Sequence, residues 1–209
     1  MEGIKNWVWA QYGLMRRFYR EDFASLLRTT AIAFAVITCL SFVFALLARN
    51  TAASLVERFS VYVQELGISE DGSISASAIL GNNLRVAGAS ILYGFIPFLY
   101  LPALTLGTNA LMLGVMGGYC VNSGYSLLTY LAGVLPHGLF ELPALVLALA
   151  LGLYLCEVVV DYMRKNTRGI VLAALKNIAR VFLFWIVPLL IVASVIEAYI
   201  TPLVLRLFM

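Results

Sequence analysis

The sequence predicts an all-α membrane protein with about five transmembrane helices, and three observations carry that prediction. Of 209 residues, 62% are apolar and 12% charged, and the mean hydropathy of +0.94 lies far above that of a soluble domain. Long uncharged runs recur, each near the ~20 residues that a bilayer core requires. The charges are also sorted by position. Residues 1–28 carry Lys5, Arg16, Arg17, Arg20 and Arg28 against Glu2, Glu21 and Asp22. Residues 160–180 carry Arg164, Lys165, Arg168, Lys176 and Arg180 against Asp161. The positive-inside rule places both segments in the cytoplasm. The stretch from Arg49 to Ser77 has Glu57, Glu65, Glu70 and Asp71 against Arg49 and Arg58, which places it outside. The net charge of +3 therefore reflects topology rather than a nucleic-acid surface. The expected location is the cytoplasmic (inner) cell membrane, with a cytoplasmic N-terminus.

Two units follow: residues 1–28 as a cytoplasmic amphipathic interfacial segment, and residues 29–209 as a single polytopic membrane domain. In the first, Trp7, Trp9, Tyr12, Phe18, Tyr19 and Phe23 interleave with basic residues, which suits a helix in the headgroup region; a partner-binding helix is the alternative. No cleavable signal peptide is expected, because the first apolar run starts only near Thr29 and exceeds an h-region in length. Thr29 to Ala48 is the first span. In the external loop, 49–80, Leu55, Phe59, Tyr62, Val63 and Leu66 recur at helical spacing, and Gly67 to Ser77 is turn-rich. The second span is expected over Leu84 to Tyr100 and the third over Pro102 to Val121, where Gly107, Gly114, Gly117 and Gly118 permit close helix approach. Asn109, alone in the third span, suits an interhelical hydrogen bond. Cys39, Cys120 and Cys156 fall in spans and read as small buried residues rather than a disulfide framework.

Leu127 to Val160 would measure about 51 Å as one helix, too long for a core of about 30 Å. Pro136 and Gly138 are therefore expected to break it, with Gly138 also allowing close backbone approach, and Pro202 is grouped with them as a break and packing residue. A short interfacial or re-entrant segment would precede the fourth span, which starts at His137, and a cytoplasmic loop, 161–180, would follow it. The last span runs from Val181 to Pro202. LPALTL at 101–106 echoes LPALVL at 142–147, too short a match to establish an inverted repeat.

With this topology the polar residues of three spans share the outer leaflet: Asn82, Asn83 and Arg85 open the second, His137 and Glu141 the fourth, and Glu197 nears the end of the last. Ionisable groups in hydrocarbon are costly unless paired, which makes this cluster the candidate site, first as a structural lock or a contact site for a lipid headgroup or peptide, with Arg85 or protonated His137 neutralising Glu141 or Glu197. Asn capping and a snorkelling Arg account for Asn82, Asn83 and Arg85 equally well. His137, Glu141 and Glu197 are candidate metal ligands by type, although no HExxH spacing accompanies them. A cofactor is otherwise not expected. A serine or cysteine hydrolase would depend wholly on His137, the chain's only histidine, and no GxSxG elbow is present.

LPHGLFELPA at 135–144, Asn82-Asn83-Leu84-Arg85, Asn109 in its Gly-rich span and PLLIVASVIEAYITP at 188–202 resemble the stage II sporulation protein M family over residues 20–205. The residues that match are Asn82, Asn83, Asn109, His137, Gly138, Glu141, Glu197 and Pro202; Ala110 departs from the pattern, standing where Gly is expected. The resemblance implies a membrane subunit that works with peptidoglycan-cleaving partners in sporulation engulfment, while other members accompany bacteriocin clusters. The leading expectation is therefore a non-enzymatic membrane subunit that anchors or organises envelope proteins at the outer face. A lipid or peptide transport component is the alternative, and an intramembrane metal-dependent hydrolase stands behind both. The Gly-rich span and the N-terminal aromatic helix suit a homodimer or lipid contact alike.

Overall fold

Four stretches are long and apolar enough to cross a bilayer in the computed structural model: Lys5–Leu47, Leu101–Asn122, Leu127–Lys165 and Ile170–Arg206. The structure describes residues 2–65 and 75–208, so most of the predicted turn-rich loop, with Glu70 and Asp71, lies outside the described residues, while Ser75, Ala76 and Ser77 at its end open the next helix. The order is α1 (Glu2–Phe18), α2 (Ala24–Leu47), α3 (Arg49–Glu65), α4 (Ala76–Leu92), α5 (Leu101–Asn122), α6 (Leu127–Lys165), α7 (Ile170–Val181), α8 (Val187–Val195) and α9 (Thr201–Arg206). Single π turns at Tyr19–Phe23, Phe182–Ile186 and Ile196–Ile200 splice α1 to α2, α7 to α8 and α8 to α9. The last two precede Pro188 and Pro202. A proline lacks the N–H that an α-turn needs, and in each case the preceding turn widens to an i→i+5 bond, with Val187 N–H on Phe182 O and Thr201 N–H on Ile196 O.

The expected break at Pro136 does not occur. α6 runs through Pro136 and Pro143 as one helix of 39 residues, about 58 Å long, so it must tilt or project beyond the core. Two prolines seven positions apart fall on nearly the same face and leave the carbonyls of Ala132 and Leu139 without i+4 donors. Packing outweighs that cost. α6 touches α2, α4, α5, α7, α8 and α9, and Ala144, Ala148, Leu149, Ala150, Leu151 and Leu155 on it are fully buried. It is the central post rather than a short segment followed by a span.

The second predicted span is also redrawn. α4 begins at Ala76, where the Ser75 hydroxyl accepts from Ala78 N–H at 3.2 Å, and has 17 residues. Two 3-10 turns, Tyr93–Phe95 and Pro97–Leu99, carry the chain to α5. Pro97 disfavours the helical region at Ile96, which sits at φ −111°, ψ 68°. By length and composition α4 is not counted among the four.

α2 and α5 form the closest seam. Phe34 packs with Leu106 and Ala110, Ser41 lies against Gly114 and Ala45 against Gly118, and Asn122 Nδ2 donates to Ala45 O at 2.7 Å. The pairing ascends in both sequences, so the two helices are parallel. α6 opposes α5: Tyr130 donates to Leu113 O at 2.6 Å near one end, and Gly152 meets Pro102 near the other. The turn between them passes Gly124 at φ +89°, a conformation that favours glycine. α9 opposes α6, with Thr129 Oγ1 donating to Phe208 O at 3.2 Å.

The lipid-facing surface is apolar. Along α2, Ile32, Val36, Leu40, Val43 and Leu47 are each at least half exposed, a stripe at helical spacing that a bilayer would cover. Cys39 is exposed there too, contrary to the expectation of burial, while Cys156 is buried. At the opposite end the two basic segments meet: Arg180 Nε donates to Gln11 Oε1 at 2.7 Å, and Trp7 lies 6.2 Å from Phe184. The predicted loop 161–180 is largely helical, because α7 occupies Ile170–Val181.

Candidate functional site

His137 and Glu141 sit one turn apart on α6 and face the same side, as their i, i+4 spacing requires. Glu197 comes from the π turn Ile196–Ile200 of the antiparallel neighbour. One potential ligand atom from each of the three lies within 4.8 Å of the others, and all three side chains are half-buried. His137 Nδ1 is 3.1 Å from Thr201 Oγ1, and Thr201 is buried. That hydrogen bond fixes the imidazole and leaves Nε2 as the free ring nitrogen. The π turn adds one residue ahead of Thr201, so it sets the angular relation between Glu197 and Thr201.

A cavity of about 280 Å³ opens beside this group, lined by Phe34, Phe59, Asn109, Met112, Tyr130, His137 and Glu141 among others. α2, α3, α5 and α6 all contribute, and the walls are mainly apolar. Phe59 belongs to α3, which folds back along α5 with Ala52 against Ala45 and Val115. The short external helix expected from the sequence thus forms one wall of the cavity.

The remaining candidates divide. Asn109 lines the cavity, but its Nδ2 donates to Thr105 O on its own helix at 2.8 Å. Interhelical bonds are made instead by Asn122 to Ala45 O and by Tyr130 to Leu113 O. Arg85 Nη2 donates to Asn82 Oδ1 at 3.0 Å, with both residues exposed. Asn83 Nδ2 is buried without a hydrogen-bond partner among the described residues, on a helix that touches the π turn of Glu197. Among the described residues the ion pairs are Arg17–Glu21 and Lys165–Asp161, both on the surface. Neither Glu141 nor Glu197 has a basic partner there.

Gly138 does not mark a close backbone approach. A Cβ built on it would meet only Val134 at 3.4 Å and Leu142 at 3.7 Å, both on its own helix. Gly138→Ala is therefore expected to be neutral or to stabilise by up to about 1 kcal/mol, since alanine is the better helix former. Thermal unfolding in detergent reads this directly, and a clear loss of stability would restore a packing role to Gly138. Pro202 stands at the start of α9, exposed, just after the π turn.

Sequence reasoning missed Thr201, Tyr130, Phe59 and Met112. Thr201 sits in the ITP triplet beside Glu197 and could have been suspected from that alone; the other three look like ordinary apolar or interfacial residues until the helices are assembled.

The fold and the site define a polytopic membrane protein with a histidine and two glutamates gathered beside an intramembrane cavity. The chain belongs to the stage II sporulation protein M family, whose profile matches residues 30–202. Ala110, the departure from the family pattern noted above, is fully buried against Phe34, Leu106 and Leu149. Among curated proteins, an uncharacterized protein of Methanocaldococcus jannaschii is 27% identical, with 78% of this chain and 88% of that protein covered. No solved structure matches.

Proposed function

We propose that this chain is a non-enzymatic subunit of the cytoplasmic membrane that anchors or organises envelope proteins at the outer face, of the kind used in engulfment or envelope remodelling. The cavity carries this reading. It combines apolar, Met-containing walls, which adapt to varied side chains, with a polar edge at His137 and Glu141. One wall comes from α3, the helix of the external excursion. A partner's membrane helix or its outer juxtamembrane segment has the chemistry to use both surfaces, and peptidoglycan-cleaving enzymes are the partners that the family resemblance suggests. In this reading α4 and its 3-10 turns make a fifth crossing, as the parallel seam of α2 and α5 favours. The joined basic segments around Gln11 and Arg180 lie in the cytoplasm.

A photo-crosslinking residue at Met112 or Phe59 tests the reading in native membranes. The expected result is a discrete adduct with a second envelope protein, and none from Leu40 on the lipid-facing stripe. Adducts with lipid alone, together with lipid or peptide flux in liposomes holding only this chain, would replace this reading with transport, which the open apolar wall also suits.

A further inference from the structure

We propose that His137, Glu141 and Glu197 form a binding site for one divalent transition-metal ion of the zinc class. The set offers one imidazole nitrogen and two carboxylate oxygens from two antiparallel helices, a donor mix suited to zinc, manganese or ferrous iron and unlike the all-oxygen shells of calcium and magnesium. Its candidate atoms lie within 4.8 Å of one another. Ligands at zinc-like distances stand about 3.4 Å apart, so the three side chains must close by up to about 1.4 Å to hold one ion.

Two further observations point the same way. The two carboxylates are in no ion pair with Lys, Arg or His among the described residues, and so close together in a low-dielectric setting they are relieved either by sharing a proton or by a cation. Thr201 holds His137 Nδ1 at 3.1 Å, the arrangement in which a ligating histidine donates its second ring N–H to an oxygen acceptor and presents the other nitrogen to metal. The cavity lined by Asn109 and Tyr130 leaves room on one side for a fourth ligand.

This inference does not depend on the partner-organising reading, because binding stoichiometry tests it without any partner. The full chain is purified in detergent with a histidine-free tag, stripped with chelator and titrated with Zn²⁺ against a competing chromophore, with Co²⁺ absorption as a geometric readout. The expected result is one ion per chain. His137→Ala, Glu141→Gln and Glu197→Gln should each weaken binding at least about tenfold, and Thr201→Val by about 10- to 100-fold. Asn82→Ala should bind as the unmodified chain does. Wild-type protein that binds none of Zn²⁺, Mn²⁺ or Fe²⁺ overturns the proposal, whatever the variants do. Folded His137→Ala and Glu197→Gln proteins that both bind like wild type overturn it equally.

Discussion

Gly114→Val is expected to leave little folded protein, with a loss of about 3 kcal/mol or more. A Cβ at Gly114 would fall on the Thr38 carbonyl, 2.8 Å from Phe42 N and 2.8 Å from Ser41 Cβ. Two of these three neighbours are backbone atoms of α2, which cannot rotate away as a flexible side chain can. The helices would have to separate, and the separation would also open the contacts of Gly118 with Ala45 and Phe42. Gly107→Val is the matched control on the same helix, because among the described residues nothing lies within 4 Å of a Cβ there. Tryptophan fluorescence during thermal unfolding in detergent compares the two. If Gly114→Val unfolds within a few degrees of wild type, the seam is not as tight as described.

Glu197→Gln is expected to raise the stability of the metal-free protein by about 1 to 3 kcal/mol. Removing a charge from a group usually costs stability when that charge is paired. Here it faces Glu141 and His137, with no basic side chain in an ion pair to it among the described residues. The amide keeps the shape, exchanges one acceptor oxygen for an NH2 donor and carries no charge to oppose Glu141. With saturating Zn²⁺ the variant's advantage should shrink by about 1.4 kcal/mol or more, since the wild type binds the ion at least about tenfold tighter. Asp161→Asn, which removes an exposed partner of Lys165, should change little. Thermal midpoints in chelator and in Zn²⁺ give the sign in each state, and a destabilised Glu197→Gln in chelator would mean that the carboxylate has a stabilising partner after all.

The candidate site was legible in the sequence to an uneven degree. That His137 and Glu141 share a face follows from helical spacing alone, and their depth near Glu197 follows from counting spans. Arg85 was grouped with them on depth, but equal depth leaves the angular position about the helix axis open, and Arg85 turns outward to Asn82. Asn109 shows the same gap, since a polar residue in a span must find an acceptor and the sequence does not say on which helix. The continuity of α6 lies beyond the sequence for a related reason. Length and proline chemistry argue for a break, and only the surrounding helices supply the packing that keeps the helix whole.

The sequence by itself determined that this is a helical membrane protein, where its apolar runs lie, which end is basic, and which few ionisable residues enter the apolar region. Those properties are sums over local composition, and each residue contributes wherever the chain goes. Only the tertiary structure decided that α3 folds back to line the cavity, that α2 and α5 run parallel in contact through Gly114 and Gly118, and that Thr201 sets the ring of His137. These depend on the rotation and register of one helix against another. Register is fixed by side chains far apart in the chain, and the π turns before Pro188 and Pro202 shift it by a residue each.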